Sequence, residues 1–202
     1  MKNIKIWNDS PSDKQVREIA DSFREGEIVI LPTDSVYALS CDALNPKAIN
    51  ELCRIKGLNP EKNELSIICA DMSMAAEYAV IDNPGYKLLK DYTPGAFTMI
   101  FKAARTLPKA FKGRKAVGIR IPDNLTAREV AKELGNPILC TSIEFNDDDH
   151  AREPELIAEH YEPDGIGLFV DGGDGGNEFT TVLDCSDSSN PFLIRQGKGL
   201  LD

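Results

Sequence analysis

Short, unbroken apolar runs alternate along this chain with segments whose apolar residues fall at helical spacing. That interleaving is the strongest constraint on its fold. The run 27–31 (Glu-Ile-Val-Ile-Leu) has no polar alternation, as in a strand buried on both faces, and Pro32 stops it. Before it, Ser12 is a plausible N-cap for a helix carrying Val16, Ile19, Ala20 and Phe23, ended by Gly26. After it, Asn45-Pro46 reads as N-cap and first helical residue, with Ile49, Leu52, Cys53 and Ile55 on one face through residue 56. The pattern then predicts a strand at 65–70, helices near 73–79 and 84–91, and strands at 97–103 and 116–121. A helix capped by Asn124 runs to about 134 and ends at Gly135. A strand at 137–141, a helix near 153–161 and strands at 166–170, 180–184 and 192–196 complete the chain. Alternating strands and helices imply an α/β fold, and the consecutive late strands imply a mixed sheet. With no internal repeat, low-complexity tract or long linker, residues 1–202 are expected to form a single domain.

The 202 residues carry 23 Lys and Arg against 33 Asp and Glu, a net charge of −10. The excess is uneven. Residues 1–120 hold 18 basic and 15 acidic side chains, whereas 121–202 hold 5 and 18. Between Lys102 and Arg120 lie seven basic residues and no acidic one. Such a patch can attract phosphate although the whole chain is acidic, because screening makes the interaction local. Lys109, Lys112, Arg114 and Lys115 are its candidate RNA-contacting residues. The five cysteines form no CxxC pair and sit mostly in apolar runs, as small buried hydrophobes do in a reducing compartment. Two distant His residues speak against a His-based metal site or a Ser-His-Asp triad, and no metal site is expected. No apolar stretch reaches membrane-spanning length and no secretory h-region follows Met1, so a cytoplasmic protein with no membrane partner is expected.

Polar groups stand directly after several strand runs: Thr33-Asp34-Ser35 after 27–31, Thr141-Ser142 after 137–141, and Arg120 within 116–121. Ligands of open α/β sheets bind at such strand ends, where hydroxyls and backbone N–H groups suit carboxylate or phosphate. Arg54, Lys56 and Lys62 cluster at the end of the 46–56 helix, where they offset its dipole or clamp an anion. No GxxxxGK[ST] and no GxGxxG after a strand is present. The run 171–176 (Asp-Gly-Gly-Asp-Gly-Gly) lacks the lysine of a phosphate cradle and reads as a mobile turn or lid. Glu144, Asp147, Asp148, Asp149 and His150 read as a solvated acidic loop.

Taken in order, these segments resemble a known family. Pro32-Thr33-Asp34-Ser35-Val36-Tyr37-Ala38-Leu39 with Cys41-Asp42 resembles the PTDTVYGLGCDA signature of the YrdC/YciO family. Ile55-Lys56-Gly57, 93–98 (Thr-Pro-Gly-Ala-Phe-Thr), 117–122 (Val-Gly-Ile-Arg-Ile-Pro), 137–142 (Pro-Ile-Leu-Cys-Thr-Ser), 180–184 (Thr-Thr-Val-Leu-Asp) and 193–197 (Leu-Ile-Arg-Gln-Gly) follow as its further motifs. The resemblance implies one α/β domain whose twisted mixed sheet, flanked by helices, lines a large concave cleft. It further implies a nucleotidyltransferase-like activity, the synthesis of threonylcarbamoyl-AMP from L-threonine, bicarbonate and ATP with Mg²⁺. The product serves tRNA threonylcarbamoyladenosine formation, and tRNA or double-stranded RNA is the expected macromolecular partner. Thr33, Tyr37, Arg54, Lys56, Ser66, Thr98, Arg120, Thr141, Ser142, Thr181 and Arg195 are the residues it implies for substrate and nucleotide binding, with Lys56, Ser142 and Glu144 nearest the chemistry.

Two departures stand out. Leu58 occupies the position of the second cation of the family's Lys-x-Arg, and Glu144 replaces the Asn of Thr-Ser-Ala-Asn. Each change weakens the hold on a triphosphate by on the order of 1–3 kcal/mol. Arg54 is not a simple substitute, since on a regular helix it lies about 200° around from Lys56. With residues 59–64 replacing a shorter loop, the chain is most similar to the YciO branch. For that branch the alternatives are an enzyme that hydrolyses or edits the modification on tRNA, with Glu144 as general base, or a non-catalytic double-stranded RNA or tRNA binder.

Overall fold

The computed structural model describes residues 1–59, 65–104, 115–143 and 152–201. Among the described residues eleven strands form one sheet: β1 (Lys2–Lys5), β2 (Val29–Leu31), β3 (Ala38–Asp42), β4 (Ser66–Ile68), β5 (Ala79–Val80), β6 (Phe97–Ala103), β7 (Ala116–Arg120), β8 (Ile138–Ser142), β9 (Leu168–Asp171), β10 (Thr181–Asp184) and β11 (Phe192–Arg195). Their order is β1-β9-β2-β3-β8-β4-β7-β6-β10-β11, with β5 attached to β6. Four neighbouring pairs are parallel (β1/β9, β2/β9, β4/β7, β6/β10) and the other pairs are antiparallel, so the sheet is mixed as the late strands imply.

Six α-helices among the described residues flank it: α1 (Asp13–Arg24), α2 (Pro46–Lys56), α3 (Met72–Tyr78), α4 (Asn83–Tyr92), α5 (Leu125–Leu134) and α6 (Pro154–Tyr161). Their ends are written locally. Ser12 and Gln15 form a reciprocal capping box on α1. Asn45 and Asn124 accept from backbone N–H groups of the first turns of α2 and α5, and Gly57 and Gly135 end those helices in the left-handed conformation. Asp9 adds a tertiary cap, its carboxylate accepting from the backbone N–H groups of Leu125 and Thr126.

Because neighbours in register share a face, the pairing shows which residues each side of the sheet presents. Cys41, Leu139, Ile67, Ile119, Met99 and Leu183 form one continuous row, entirely inside the larger core. α2, α3, α4 and α6 close that core with Ile49, Leu52, Ala75, Leu89 and Ile157. The opposite face is divided. Under α1 and α5 it carries Val29, Leu31, Ile68, Ile138, Leu168 and Val170, packed against Ile19, Phe23, Val130 and Ala131. Past Ile68 toward β7 and β6 the same face turns small and polar.

Most sequence-predicted elements lie within two residues of the observed ones, and three strands escape prediction. β1 is short and polar with one buried apolar residue, Ile4. β3 hides in the Pro32–Asp42 motif as the returning arm of a hairpin with β2. β5 has only two residues. The 65–70 run shortens to three residues in β4. All five cysteines are buried and none is joined in a disulfide, as their apolar surroundings imply. No described helix is long and apolar enough to cross a membrane.

Burial raises the thiols of Cys41, Cys69 and Cys185, the last from 9.0 to about 12, and raises the Tyr37 phenol. Unfolding releases these groups to their ordinary values, so above pH 9.0 the unfolded chain loses protons that the folded chain retains. Their contribution is complete below that pH and declines above it. Urea midpoints measured from neutral to strongly alkaline pH should hold steady and then fall from about pH 9; a midpoint unchanged well above the thiol range would contradict this assignment.

Candidate functional site

Where the second face loses its helical cover, the sheet floors a cavity of about 200 Å³. Cys140, Ser66, Gly118 and Ile100 form its central row in direct register. A side chain on Gly118 would meet Thr98 Cγ2 at 3.1 Å and Ser66 Cβ at 3.2 Å, so glycine keeps the floor open. Thr98, Thr180, Val182 and Arg195 form the wall on the β10–β11 side, and Thr141 and Ser142 the wall at the end of β8.

Arg120 closes one end of the cavity. It belongs to the same row as Ile68 and Ile138, at the boundary between the helix-covered core and the open floor. Its side chain is 4% exposed and that of Asp34 6%. One guanidinium nitrogen, Nη2, donates to Asp34 Oδ1 at 3.0 Å, Ser35 Oγ at 3.1 Å and Thr33 Oγ1 at 3.3 Å. Asp34 Oδ2 accepts from the Asp123 backbone N–H at 2.8 Å, which ties the β2–β3 hairpin to the segment after β7. Among the described residues, Arg120 Nε is the buried side-chain polar atom left without a partner. A buried charge persists only when paired, and here the pairing leaves one donor unspent.

The remaining polar groups are held as firmly. The hydroxyls of Thr98 and Thr180 share a 2.8 Å hydrogen bond across β6 and β10. Arg195 donates through Nε and Nη2 to Thr180 O, at 3.3 and 3.0 Å, and lies 5.2 Å from the centre of the Phe179 ring. Lys56 Nζ, at the end of α2, donates to Ser142 O at 2.9 Å. Thr33 Oγ1 donates to Val36 O and accepts from the Ser35 N–H, which fixes the tip of the β2–β3 hairpin.

Not every residue implied by the motifs stands at the cavity wall. Ser66, Thr98, Arg120, Thr141, Ser142 and Arg195 line it directly. Thr33 reaches it through Arg120 and Lys56 through Ser142. Thr181 is fully buried behind the wall, its hydroxyl donated to Gly199 O at 2.6 Å, and Thr180 is the lining residue. Strand alternation explains the exchange, since adjacent residues point to opposite faces. Tyr37 is 1% exposed and packs on Phe169. Its hydroxyl accepts from the Gly172 N–H and donates to Gly173 O. Arg54 is exposed on the outer face of α2 and grips Glu51 at 2.7 and 3.0 Å. Leu58 packs against the larger core, its N–H bonded to Cys53 O. Lys115 is exposed before β7; Lys62, Lys109, Lys112, Arg114, Glu144, Asp147, Asp148, Asp149 and His150 lie outside the described residues.

The 171–176 segment is not the free lid its composition suggests. Tyr37 holds Gly172 and Gly173, Asp171 Oδ1 accepts from the Gly173 N–H, Gly175 N–H donates to Arg152 O, and Gly176 N–H donates to Ser35 O. Asp171 is itself paired with Lys5 at 2.6 Å. The residues implied by the motifs leave out Thr180 and Cys140, which line the cavity, and Lys198, whose ammonium donates to Asp34 O. A signal for the Asp34–Arg120 pair does exist in the sequence: two opposite charges, each lodged against an unbroken apolar run.

The donor set does not suit a protein-held Mg²⁺. Among the described residues no group of three His, Cys, Asp or Glu side chains converges, and Asp34 spends both oxygens on Arg120 and Asp123.

Comparison with known proteins follows the geometry. The Sua5/YciO/YrdC family model, described as "Telomere recombination", matches residues 21–197. An uncharacterized Escherichia coli (strain K12) protein, YciO, is 33% identical over 201 residues, spanning 96% of this chain and 94% of its own. The E. coli YciO crystal structure superimposes with a TM-score of 0.89 at 32% identity, over 98% of this chain and 97% of its own. A Bacillus subtilis (strain 168) protein named threonylcarbamoyl-AMP synthase is 33% identical over 193 residues, 93% of this chain but 55% of its own. The crystal structure of P. abyssi Sua5 complexed with L-threonine matches with a TM-score of 0.86 at 25% identity, over 98% of this chain and 58% of its own.

Proposed function

Because the chain belongs to the Sua5/YciO/YrdC family, we propose that its cleft binds L-threonine and a nucleotide, in a threonylcarbamoyl-AMP synthase-like role serving tRNA threonylcarbamoyladenosine metabolism. The observation that carries the reading is Arg120: a buried guanidinium at the cleft end, with an unspent Nε and three acceptors gathered on Nη2. A carboxylate suits such a fork, and the Thr98–Thr180 hydroxyl pair supplies partners for a small polar side chain. The P. abyssi relative complexed with L-threonine supports this ligand class. Asp34 neutralises Arg120, so capture of an anion requires the guanidinium to share its donors rather than exchange them.

In this role Lys56 and Arg195 orient anionic oxygens from the two sides of the floor. Burial behind the strands strengthens each such contact relative to water. Any Mg²⁺ enters on the phosphates of the nucleotide, since the described residues do not form a site for it. The position of Leu58 has a direct consequence. It is folded against the larger core, and Arg54 is turned outward onto Glu51, so neither supplies the second cation of the Lys-x-Arg motif. Threonine recognition is retained in this reading and the triphosphate is held weakly.

Calorimetric titration with L-threonine, followed by pyrophosphate release with ATP, bicarbonate and Mg²⁺, tests it. L-threonine should bind the wild-type chain. The Leu58→Arg/Glu144→Asn variant should raise threonine-dependent pyrophosphate release by at least about fivefold, since restoring one charge-assisted contact is worth ~1–3 kcal/mol. Absence of both threonine binding and threonine-dependent turnover in both proteins would overturn the assignment.

A further inference from the structure

The two outer edges of the sheet are built very differently. β1 reads Lys2-Asn3-Ile4-Lys5; its apolar side chain is buried and its lysines pair with Glu18 and Asp171. Charged side chains of this kind keep an edge from pairing with another chain. β11, at the opposite edge, reads Phe192-Leu193-Ile194-Arg195 and has no such guard. Its three apolar residues are 68%, 40% and 49% exposed, and they alternate, so both faces of the strand present hydrocarbon to solvent. Phe179, beneath Arg195, enlarges the patch.

An edge strand also offers a row of unpaired backbone N–H and C=O groups. Together Phe192, Leu193, Ile194 and Phe179 present on the order of 400 Å², judged from the ~150–250 Å² that a large side chain buries. That is about half of the ~800 Å² per partner of a stable complex and is contiguous along one strand rather than scattered. The charges around the strand are polarised. Asp187 is exposed in the turn before β11, and Arg195 ends the strand. Antiparallel self-pairing sets the acidic end of one strand beside the basic end of the other, whereas parallel pairing sets like against like.

We propose that β11 pairs antiparallel with β11 of a second copy of this chain about a two-fold axis, joining the two sheets into one. The contact is isologous, so the exposed backbone edge, the Phe192–Ile194 hydrocarbon and the Asp187–Arg195 polarity are each self-complementary. Arg195 also lines the cleft, so the interface stands directly against the ligand site.

Sedimentation velocity of the full chain across the micromolar range tests the proposal, beside Ile194→Lys and the double variant Phe192→Lys/Ile194→Lys. Both positions are exposed, at 68% and 49%, so the variants should keep the wild-type circular dichroism. The wild type is expected to sediment at twice the chain mass and both variants at the chain mass. A wild type that stays at the chain mass throughout, or a folded double variant that keeps the doubled mass, would overturn it.

Discussion

Arg120→Met should lower the stability of the chain by about 3–5 kcal/mol and abolish threonine binding in the cleft. The side chain removed is 4% exposed, and what it leaves behind decides the cost. Asp34, 6% exposed, keeps one hydrogen bond from the Asp123 N–H but loses its counter-charge, and the Ser35 hydroxyl loses a donor. An uncompensated buried carboxylate is far costlier than a missing contact. In a domain of this length the loss corresponds to a fall in melting temperature of roughly 10 °C. Adding Asp34→Leu to Arg120→Met removes the orphaned charge and should recover a substantial part of the loss without restoring binding. That separates the pairing energy from the ligand contact. A single variant that melts like the wild type would refute the buried-pair account.

The second large effect is expected at Gly176, where a methyl group should cost about 2–3 kcal/mol. A Cβ there would stand 2.1 Å from Ser35 O and 3.0 Å from Ser35 C, both backbone atoms that cannot rotate away. The same N–H donates to that oxygen at 2.9 Å, so the added carbon also breaks the bond that seats the glycine segment on the Thr33–Ser35 tip. Gly173 is the control. Its φ of +88° makes alanine strained, but nothing lies within 4 Å of the added carbon, so Gly173→Ala should cost only about 1 kcal/mol. Hydrogen exchange should show faster opening of the β2–β3 tip in Gly176→Ala alone. Equal losses at the two glycines would mean that backbone conformation, not close packing, governs the segment.

The helices were legible because their signals are local. Ser12, Asn45 and Asn124 cap through oxygens two or three residues from their partners, and Gly57 and Gly135 supply the left-handed ends. β6 shows its alternation openly, with Phe97, Met99 and Phe101 toward the core and Thr98 and Ile100 toward the cavity. β1 and β3 were not legible, because a polar edge strand and the return arm of a hairpin carry little hydrophobic pattern of their own. The 171–176 segment misled for a related reason. Glycine content reports conformational freedom in the unfolded chain, and four tertiary hydrogen bonds and one local one remove that freedom here.

The motifs place Ser66, Thr98, Arg120, Ser142 and Arg195 at strand positions that converge on one cavity, and in that sense the site was written in the sequence. Motif spacing could not separate Thr180 from Thr181, or show that Tyr37 serves the glycine segment and that Arg54 turns outward onto Glu51. Those distinctions depend on strand register, on face and on partners up to 136 residues away. By itself, then, the sequence determined the class of fold, the helix boundaries and the chemical types of the site residues, because capping and periodicity act over a few residues. Only the tertiary structure decided which face of the sheet is covered by α1 and α5 and which is left open as a cleft. Only it paired Arg120 with Asp34, because burial and register arise when distant strands are laid side by side.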